Sequence, residues 1–148
     1  MRILAIDHGE KRIGIALSDP TGAIASPLTV LHHISRPLDV ARVLEIARQH
    51  DVLRIIVGQS LDESGRPNAA GRRAVRFAQA LQEQTDLPVE LWDESLTTHD
   101  ARAIRIALGL SRKRRAGHHD ALAAAILLQS YLEARRSGQA GPTAPNRL

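Results

Sequence analysis

The order of apolar segments along the chain restricts the fold more than any other feature of the sequence. Residues 2–7 (RILAID) and 12–18 (RIGIALS) are rich in apolar and β-branched residues and flank Gly9, so they predict two paired strands. A third, weaker strand is predicted over residues 24–31, where Pro27 interrupts the pattern. Farther along the chain, helix and strand patterns alternate. A hairpin followed by such units predicts a mixed sheet with helices on both of its faces.

Hydrophobic spacing defines the units that follow the hairpin. Pro37 opens one helical pattern, and Asn68 is the predicted cap of a second helix. Between them, residues 53–57 (LRIIV) form a short apolar run, which is typical of a buried parallel strand, and residues 88–93 predict the fifth strand. The residues predicted to face the core are Val40, Val43, Leu44 and Ala47 in the first helix and Ala74, Phe77, Ala78 and Leu81 in the second.

The C-terminal part is predicted to be helical as far as residue 136. Thr97 or Thr98 is the predicted cap of a third helix. The last helix is predicted over residues 120–136. Because its first half (ALAAAILL) is apolar nearly all round, this helix is predicted to be buried. Residues 137–148 are rich in Gly, Pro and polar residues and predict a disordered tail. One domain is therefore expected over residues 1–136.

Three carboxylates occupy positions where α/β proteins commonly bind ligands. Asp7 ends the first predicted strand, Glu94 directly follows the fifth, and Asp120 lies in the first turn of the last helix. Each has an ordinary explanation when taken alone. Asp7 could start a turn, Glu94 could pair with an arginine, and Asp120 could complement the helix dipole.

If these three carboxylates converge, their charges require compensation. Two like charges about 4 Å apart repel by roughly 4 kcal/mol at an effective dielectric near 20. A converging trio therefore either raises its pKa values or binds a cation. Mg²⁺ and Mn²⁺ prefer oxygen ligands, and two such ions about 3.5–4 Å apart stabilise the attacking and leaving oxygens of a phosphodiester. Asp7, Glu94 and Asp120 are therefore candidates for a catalytic centre that binds Mg²⁺ or Mn²⁺, on the condition that the predicted topology brings them together.

The distribution of charge indicates a polyanionic partner. Residues 1–100 contain 11 Lys/Arg and 14 Asp/Glu, whereas residues 101–148 contain 9 and 2. The basic run Arg112, Lys113, Arg114 and Arg115 lies just before Asp120, and we predict that it contacts a nucleic-acid backbone, against the alternative of a solvated loop. Aromatic residues make up 2% of the chain, so phosphate contacts and shape must supply most of the affinity.

The composition also excludes several classes of site. There is no cysteine, which excludes disulfides and thiolate metal sites and fits a reducing compartment. No apolar stretch reaches the length that spans a membrane, and the first apolar run is too short for the core of a signal peptide. We therefore expect a cytoplasmic protein without a membrane partner.

Four segments resemble, in this order and spacing, the YqgF family, which is also called RuvX. They are AIDHGEKRIGIALSD, IIVGQSLDESGRPN, LWDESLTTHDAR and HHDALAAAILLQSYLE, and they extend over nearly the whole of residues 1–135. This family comprises Holliday-junction resolvases and is also associated with maturation of the small-subunit ribosomal RNA precursor. The resemblance implies an RNase H-like fold, a mixed five-stranded sheet in which three antiparallel strands precede the parallel ones. It also implies a nuclease with Asp7, Glu94 and Asp120 as its acidic metal-binding residues, and a role for Lys11 or Arg12 in holding a phosphate.

The chain departs from the family pattern next to the predicted site. Gly58, Gln59 and Ser60 stand where the family has Gly-Leu-Pro, and Ser95 stands where the family has an arginine after the Asp-Glu pair. None of these differences removes a predicted metal ligand. They leave the substrate preference open between structured RNA and branched DNA.

Two other functions fit parts of the sequence. A phosphate-binding ATPase of the actin and sugar-kinase type shares the strand order, but 148 residues provide only one of the two domains that close around ATP. A non-catalytic nucleic-acid-binding module of the same fold would be expected to lose the acids, which this chain retains. The oligomeric state is also open, because cutting a symmetric junction favours a homodimer, whereas trimming an RNA end requires none.

Overall fold

The computed structural model describes residues 1–94 and 119–138 of the chain. The predicted strands and the first, second and last predicted helices are confirmed. The strand ends lie within two residues of the predicted positions, and so do the starts of these helices. The helix predicted after Thr97 or Thr98 and residues 139–148 of the predicted tail lie outside the described residues. The elements are β1 (Arg2–His8), β2 (Arg12–Ser18), β3 (Ala25–His32), α1 (Arg36–Gln49), β4 (Val52–Gln59), α2 (Ala69–Gln84), β5 (Val89–Asp93) and α3 (His119–Arg136).

The strands form one mixed sheet in the order β3-β2-β1-β4-β5. The pairs β1/β2 and β2/β3 are antiparallel, whereas β1/β4 and β4/β5 are parallel. The carboxyl ends of β1, β4 and β5 therefore meet at one edge, called here the carboxyl edge. This arrangement confirms the predicted mixed five-stranded sheet.

Alternation of side chains along the strands separates two cores. In β1, Leu4 and Ile6 pack with residues of α1 and α2, whereas Ile3 and Ala5 pack with residues of α3. We call these two sides of the sheet the α1/α2 face and the α3 face. Helices cover both faces, as predicted, and α3 is buried along most of residues 121–132. In the two described ranges, no helix is both long and apolar enough to cross a bilayer.

The local signals that start the first two helices act as predicted. Asn68 caps α2, and its side chain accepts a hydrogen bond from the Gly71 amide at 2.9 Å. Pro37 lies in the first turn of α1, and the side chain of Ser35 caps that helix. Pro27 lies in the edge strand β3 at a register shift, where the missing N–H of proline is tolerated.

A buried carboxylate holds the start of α1 against the segment that follows β3. Asp39 is fully buried and accepts hydrogen bonds from the Ile34 amide at 3.1 Å and from the Arg42 guanidinium at 2.6 Å, and it also contacts the imidazole of His33. Burial alone would raise the pKa of Asp39, but the hydrogen bonds from His33, Ile34 and Arg42 outweigh burial and lower the pKa below its ordinary value. The fold therefore stabilises the charged form.

Replacing Asp39 should reveal this contribution. Asp39→Asn is expected to lower the free energy of unfolding near neutral pH by about 2 kcal/mol, because it removes charge-assisted hydrogen bonds. A carboxyl whose folded pKa is lowered adds stability above its unfolded pKa and loses it as pH falls through the folded pKa. The difference between wild type and variant should therefore shrink below about pH 4.

Chemical denaturation across the acidic range measures this difference. Asp86→Asn changes an exposed aspartate and is the matched control, which should change stability by less than about 0.5 kcal/mol. A loss in Asp39→Asn that stays constant down to the lowest pH would contradict a role for the charged carboxylate.

Candidate active site

Asp7 lies on the α3 face, close to the carboxyl edge. It follows Ile3 and Ala5 in the alternation of β1, and both of those residues pack against α3. Across the antiparallel pair, Asp7 stands opposite Gly14 of β2. On the other side, its neighbour Ile6 pairs with Val57 of β4, so Asp7 is level with Gly58. Glycines therefore occupy the neighbouring positions in both adjacent strands.

Glu94 lies above Gly58 on the same face of the sheet. A Cβ atom built on Gly58 would stand 2.8 Å from Oε1 and 3.2 Å from Cγ of Glu94, and 2.9 Å from Cδ2 of Leu127 in α3. These distances are too short for any side chain on residue 58 without movement of its neighbours. The glycine therefore leaves the space in which the Glu94 carboxylate sits. Since adjacent strands are about 4.8 Å apart, Asp7 and Glu94 occupy the same small region.

The direction of α3 brings the backbone of Asp120 toward this region. Leu127 lies beside Gly58, near the end of β4, whereas the hydroxyl of Tyr131 donates to Glu90 Oε2 at 3.0 Å, near the start of β5. The helix thus runs opposite to β4 and β5, and its first turn points to the carboxyl edge. Asp120 precedes Leu127 by two helical turns, a spacing that places both positions on one side of the helix.

A buried polar network on the α3 face fixes the position of this helix. Arg54 forms an ion pair with Glu90, which also accepts the hydrogen bond from Tyr131. Trp92 adds a second link, because its indole N–H donates to the Ser130 hydroxyl at 2.9 Å. Sequence analysis did not identify this network. Glu90 and Arg54 lie in apolar strands, but only the pairing of β4 with β5 shows that they meet.

The hairpin between β1 and β2 carries the predicted phosphate contacts. The amide of Gly9 donates to the Arg12 carbonyl at 2.8 Å, and a Cβ on Gly9 would lie 2.6 Å from that oxygen, so the turn requires glycine. Lys11 lies in the turn and is exposed. Arg12 is also exposed, and alternation with Ala16 places it on the α3 face with Asp7.

The sheet register places two of the three predicted acids, Asp7 and Glu94, at neighbouring positions on the α3 face. The side chain of Asp120 lies outside the described part, as does the whole basic run at residues 112–115. Among the side chains described, no group of three His, Asp or Glu residues is arranged to hold a metal ion. Two carboxylates that share one region provide hard oxygen donors, which suit Mg²⁺ or Mn²⁺ rather than a soft metal.

The residues that differ from the family pattern have structural contacts. Ser60 accepts a hydrogen bond through its hydroxyl from the Asn68 side chain at 2.7 Å. A Cβ on Gly71 would lie 2.1 Å from the Ser60 carbonyl oxygen, so the chain after β4 packs tightly against the first turn of α2. Gln59 is the last residue of β4 and pairs with Asp93. Ser95 lies outside the described residues.

His8 lies on the opposite face from Asp7. Its ring centroid is 4.5 Å from that of Phe77 in α2. Burial lowers the pKa of His8 to about 4, and the nearby charges of Arg73 and Arg36 act in the same direction, against the opposing effect of Asp39. The imidazole is therefore neutral at pH 7. Alternation along β1 was the signal for this placement, because His8 follows Ile6 on the α1/α2 face.

The packing at Gly58 leads to a test of the geometry. Gly58→Ala should destabilise the protein by about 1–3 kcal/mol, because the added methyl group overlaps Glu94 and Leu127. The cost should be smaller in a Leu127→Ala background, where one of the two neighbours has been shortened. A double-mutant cycle measured by chemical denaturation should give a coupling energy above about 0.5 kcal/mol.

The matched control combines Gly58→Ala with Leu81→Ala, which shortens a residue of the other core. These two substitutions should be additive, since the residues lie on opposite faces of the sheet. Additive effects of Gly58→Ala and Leu127→Ala would show that the two positions are not in the contact described here.

Residues 1–134 match the family model described as RuvX: Holliday junction resolvase. A protein of Desulforudis audaxviator is 38% identical over 139 residues, which are 94% of this chain and 99% of that protein. A protein of Syntrophus aciditrophicus is 42% identical over 134 residues, which are 90% of this chain and 89% of that protein. Both relatives bear the name "Putative pre-16S rRNA nuclease".

The fold is similar to that of Thermus thermophilus RuvC, a structure solved in complex with a Holliday junction substrate. The TM-score is 0.65 at 21% identity, and the match covers 100% of this chain and 99% of that one. This likeness confirms the RNase H-like arrangement of the sheet and its helices. Because a family model matches residues 1–134 and relatives at 38–42% identity align along most of their length, this chain belongs to the RuvX family.

Proposed function

We propose that the chain is a metal-dependent nuclease that hydrolyses phosphodiester bonds in structured nucleic acid. The observation that supports this most is the position of Asp7 and Glu94 in one small region of the α3 face, with the first turn of α3 directed to the same edge. The names of the family and of its relatives, which describe nucleases, agree with this function. In the proposal, Asp7, Glu94 and Asp120 form the catalytic centre.

The three carboxylates are proposed to hold two divalent ions, Mg²⁺ or Mn²⁺. The donor set fits such ions, since it is made of carboxylate oxygens that would otherwise repel each other. When bound, the ions supply an activated water and stabilise negative charge on the attacking and leaving oxygens. The protein contributes rigid placement. Asp7 is held in a central strand, and Glu94 is held in the space above Gly58.

Basic residues near this centre are proposed to hold the substrate backbone. Arg12 is exposed on the face that carries Asp7, and Lys11 precedes it in the turn of the hairpin. The basic run of Arg112 to Arg115 adds four cations shortly before Asp120 in the sequence. Contacts to phosphates orient a strand without reading its bases, which agrees with the low aromatic content of the chain.

The substrate that we propose is the precursor of the small-subunit ribosomal RNA. Relatives named for this activity align with 90% or more of the chain. Branched DNA is the second candidate, because the family description names Holliday junctions. Cleavage assays on both substrates in parallel decide between them. A homodimer is proposed only for the second candidate, because a four-way junction presents two equivalent strands.

Substitution of each acid tests the catalytic assignment. Asp7→Asn, Glu94→Gln and Asp120→Asn should each reduce the cleavage rate at least about 100-fold, because each removes an oxygen ligand while keeping the side chain's size. Thermal stability without metal should stay level or rise, since the substitutions relieve repulsion between carboxylates. Cleavage should require Mg²⁺ or Mn²⁺, and Ca²⁺ should support binding better than turnover because its coordination is larger and looser.

Glu83→Gln is the matched control for these variants, because Glu83 is exposed on α2 on the other side of the sheet. It should cleave like the wild type. Wild-type rates in all three acid variants, or full activity in excess chelator, would show that the proposed centre is wrong. Binding without any cleavage, by a wild-type protein supplied with metal, would favour the non-catalytic module.

The basic run can be tested by the salt dependence of binding. Replacing Lys113 and Arg114 with Ala should reduce the slope of log affinity against log salt by about 0.9 for each lost phosphate contact on a duplex substrate. The measurement is a salt titration in Ca²⁺, which should limit cutting. Cleavage at saturating substrate should fall less than affinity. Lines of equal slope for the wild type and the double variant would show that this run is a solvated loop.

A further inference from the structure

A pocket lies on the α1/α2 face, directly behind the proposed catalytic centre. We call it the back pocket. It has a volume of about 350 Å³, which is at the small end of the range of ligand pockets. Its lining includes the imidazoles of His8 and His33 and the guanidinium groups of Arg36, Arg73 and Arg76. Since Asp7 and His8 are consecutive residues of β1, the centre and the back pocket are separated by the thickness of the sheet.

The balance of charge in the back pocket is positive. Two acids, Glu10 and Asp39, also line it. Asp39 is already compensated, because it accepts a hydrogen bond from Arg42, which does not line the pocket, and contacts His33. Apart from Asp39, Glu10 is the one acid in the lining. The lining therefore contains three guanidinium groups and one uncompensated carboxylate. A pocket of this composition favours an anion.

The arginines of this lining have no acceptor among the residues that the structure describes. No hydrogen bond or ion pair joins the side chain of Arg36, Arg73 or Arg76 to a described residue, although Arg48, for comparison, is paired with Glu45. The Nε atom of Arg73 and the Nδ1 atom of His8 are buried without a partner. Buried polar groups are usually satisfied, so the guanidinium of Arg73 has a donor available for a ligand.

We propose that the back pocket binds a phosphate group. Arginine side chains recognise phosphate through paired hydrogen bonds, and Arg36 also stands at the first turn of α1, where the helix dipole favours an anion. The phosphate comes from a nucleic-acid strand that passes around the carboxyl edge, or from free phosphate or a mononucleotide. The first source rests on the proposed function. In that case, the back pocket holds a flanking segment of the strand that is cut on the other face.

A titration with inorganic phosphate tests the site without any cleavage. The full-length protein, without added metal, is titrated with sodium phosphate and followed by NMR through the amide signals of Ser35 and Arg36 and the Nε–H signal of Arg73. Saturable shifts are expected, and sodium chloride at equal ionic strength should not produce them. In Arg73→Gln/Arg76→Gln the dissociation constant measured from the amide signals should rise at least about tenfold.

Arg48→Gln/Arg72→Gln removes the same charge from exposed positions outside the back pocket and is the matched control. It should bind phosphate like the wild type. Both double variants should keep the wild-type melting temperature within a few degrees, which verifies folding.

Salt titrations of nucleic-acid binding in Ca²⁺ distinguish the two sources of phosphate. A loss of slope in Arg73→Gln/Arg76→Gln beyond that of the control, by about 0.9 for each contact on a duplex, identifies the strand. Loss of phosphate binding with an unchanged slope identifies a free phosphate or mononucleotide. The proposal is overturned when two results occur together. In the phosphate titration, the NMR shifts are absent or are the same in both double variants, and in the salt titration the two double variants bind nucleic acid equally. Because the phosphate titration needs neither metal nor cleavage, its outcome is independent of the acid variants.

Discussion

Gly58 has no side chain at the point where Glu94 and Leu127 reach the sheet, and the two residues fill the space that a Cβ would occupy. This contact joins β4, the end of β5 and α3 in one place. It sets how closely the buried helix approaches the sheet, and it places a carboxylate beside the strand that carries Asp7. The polar network of Arg54, Glu90 and Tyr131 stabilises the same helix farther along. The proposed catalytic centre therefore depends on packing that is built from apolar surfaces and one missing side chain.

The alternation of side chains in β1 separates two electrostatic environments. Asp7 and His8 are neighbours in the chain, yet they face opposite sides of the sheet. The α3 face gathers carboxylates, which fit cations. The α1/α2 face gathers arginines, and the charge of Asp39 on that face is balanced by its own hydrogen-bonding partners. Both sites lie at the carboxyl edge, the region where α/β sheets commonly bind ligands. In the proposal, cations held by the carboxylates of one face and the arginines of the other face both attract a polyanion.

Much of the architecture was predictable, because the spacing of apolar residues along the chain determines where helices and strands form and which face is buried. The spacing of Ala74, Phe77 and Leu81 predicted the buried face of α2, and the apolar sequence of α3 predicted a buried helix; both are confirmed. The strand ends also identified Asp7 and Glu94 as candidates, since acids are rarely placed beside apolar strands without a partner. Two features were missed. Glu90 pairs with Arg54, and His8 shares a pocket with Arg36 and Arg73. These residues are distant in sequence, so no local pattern predicts that they meet.

The sequence by itself determined the order of the described strands and helices, the inward faces of α1 and α2, and the family to which the chain belongs. These depend on hydrophobic periodicity and on ordered motifs, which are properties of neighbouring residues. The tertiary structure decided which side chains meet. Only the parallel register of β1, β4 and β5 brings Glu94 over Gly58 beside Asp7, and only the packing of α1 against α2 brings Arg36 and Arg73 into one pocket. The physical reason is that charges interact through space, whereas a pattern in sequence records only distance along the chain.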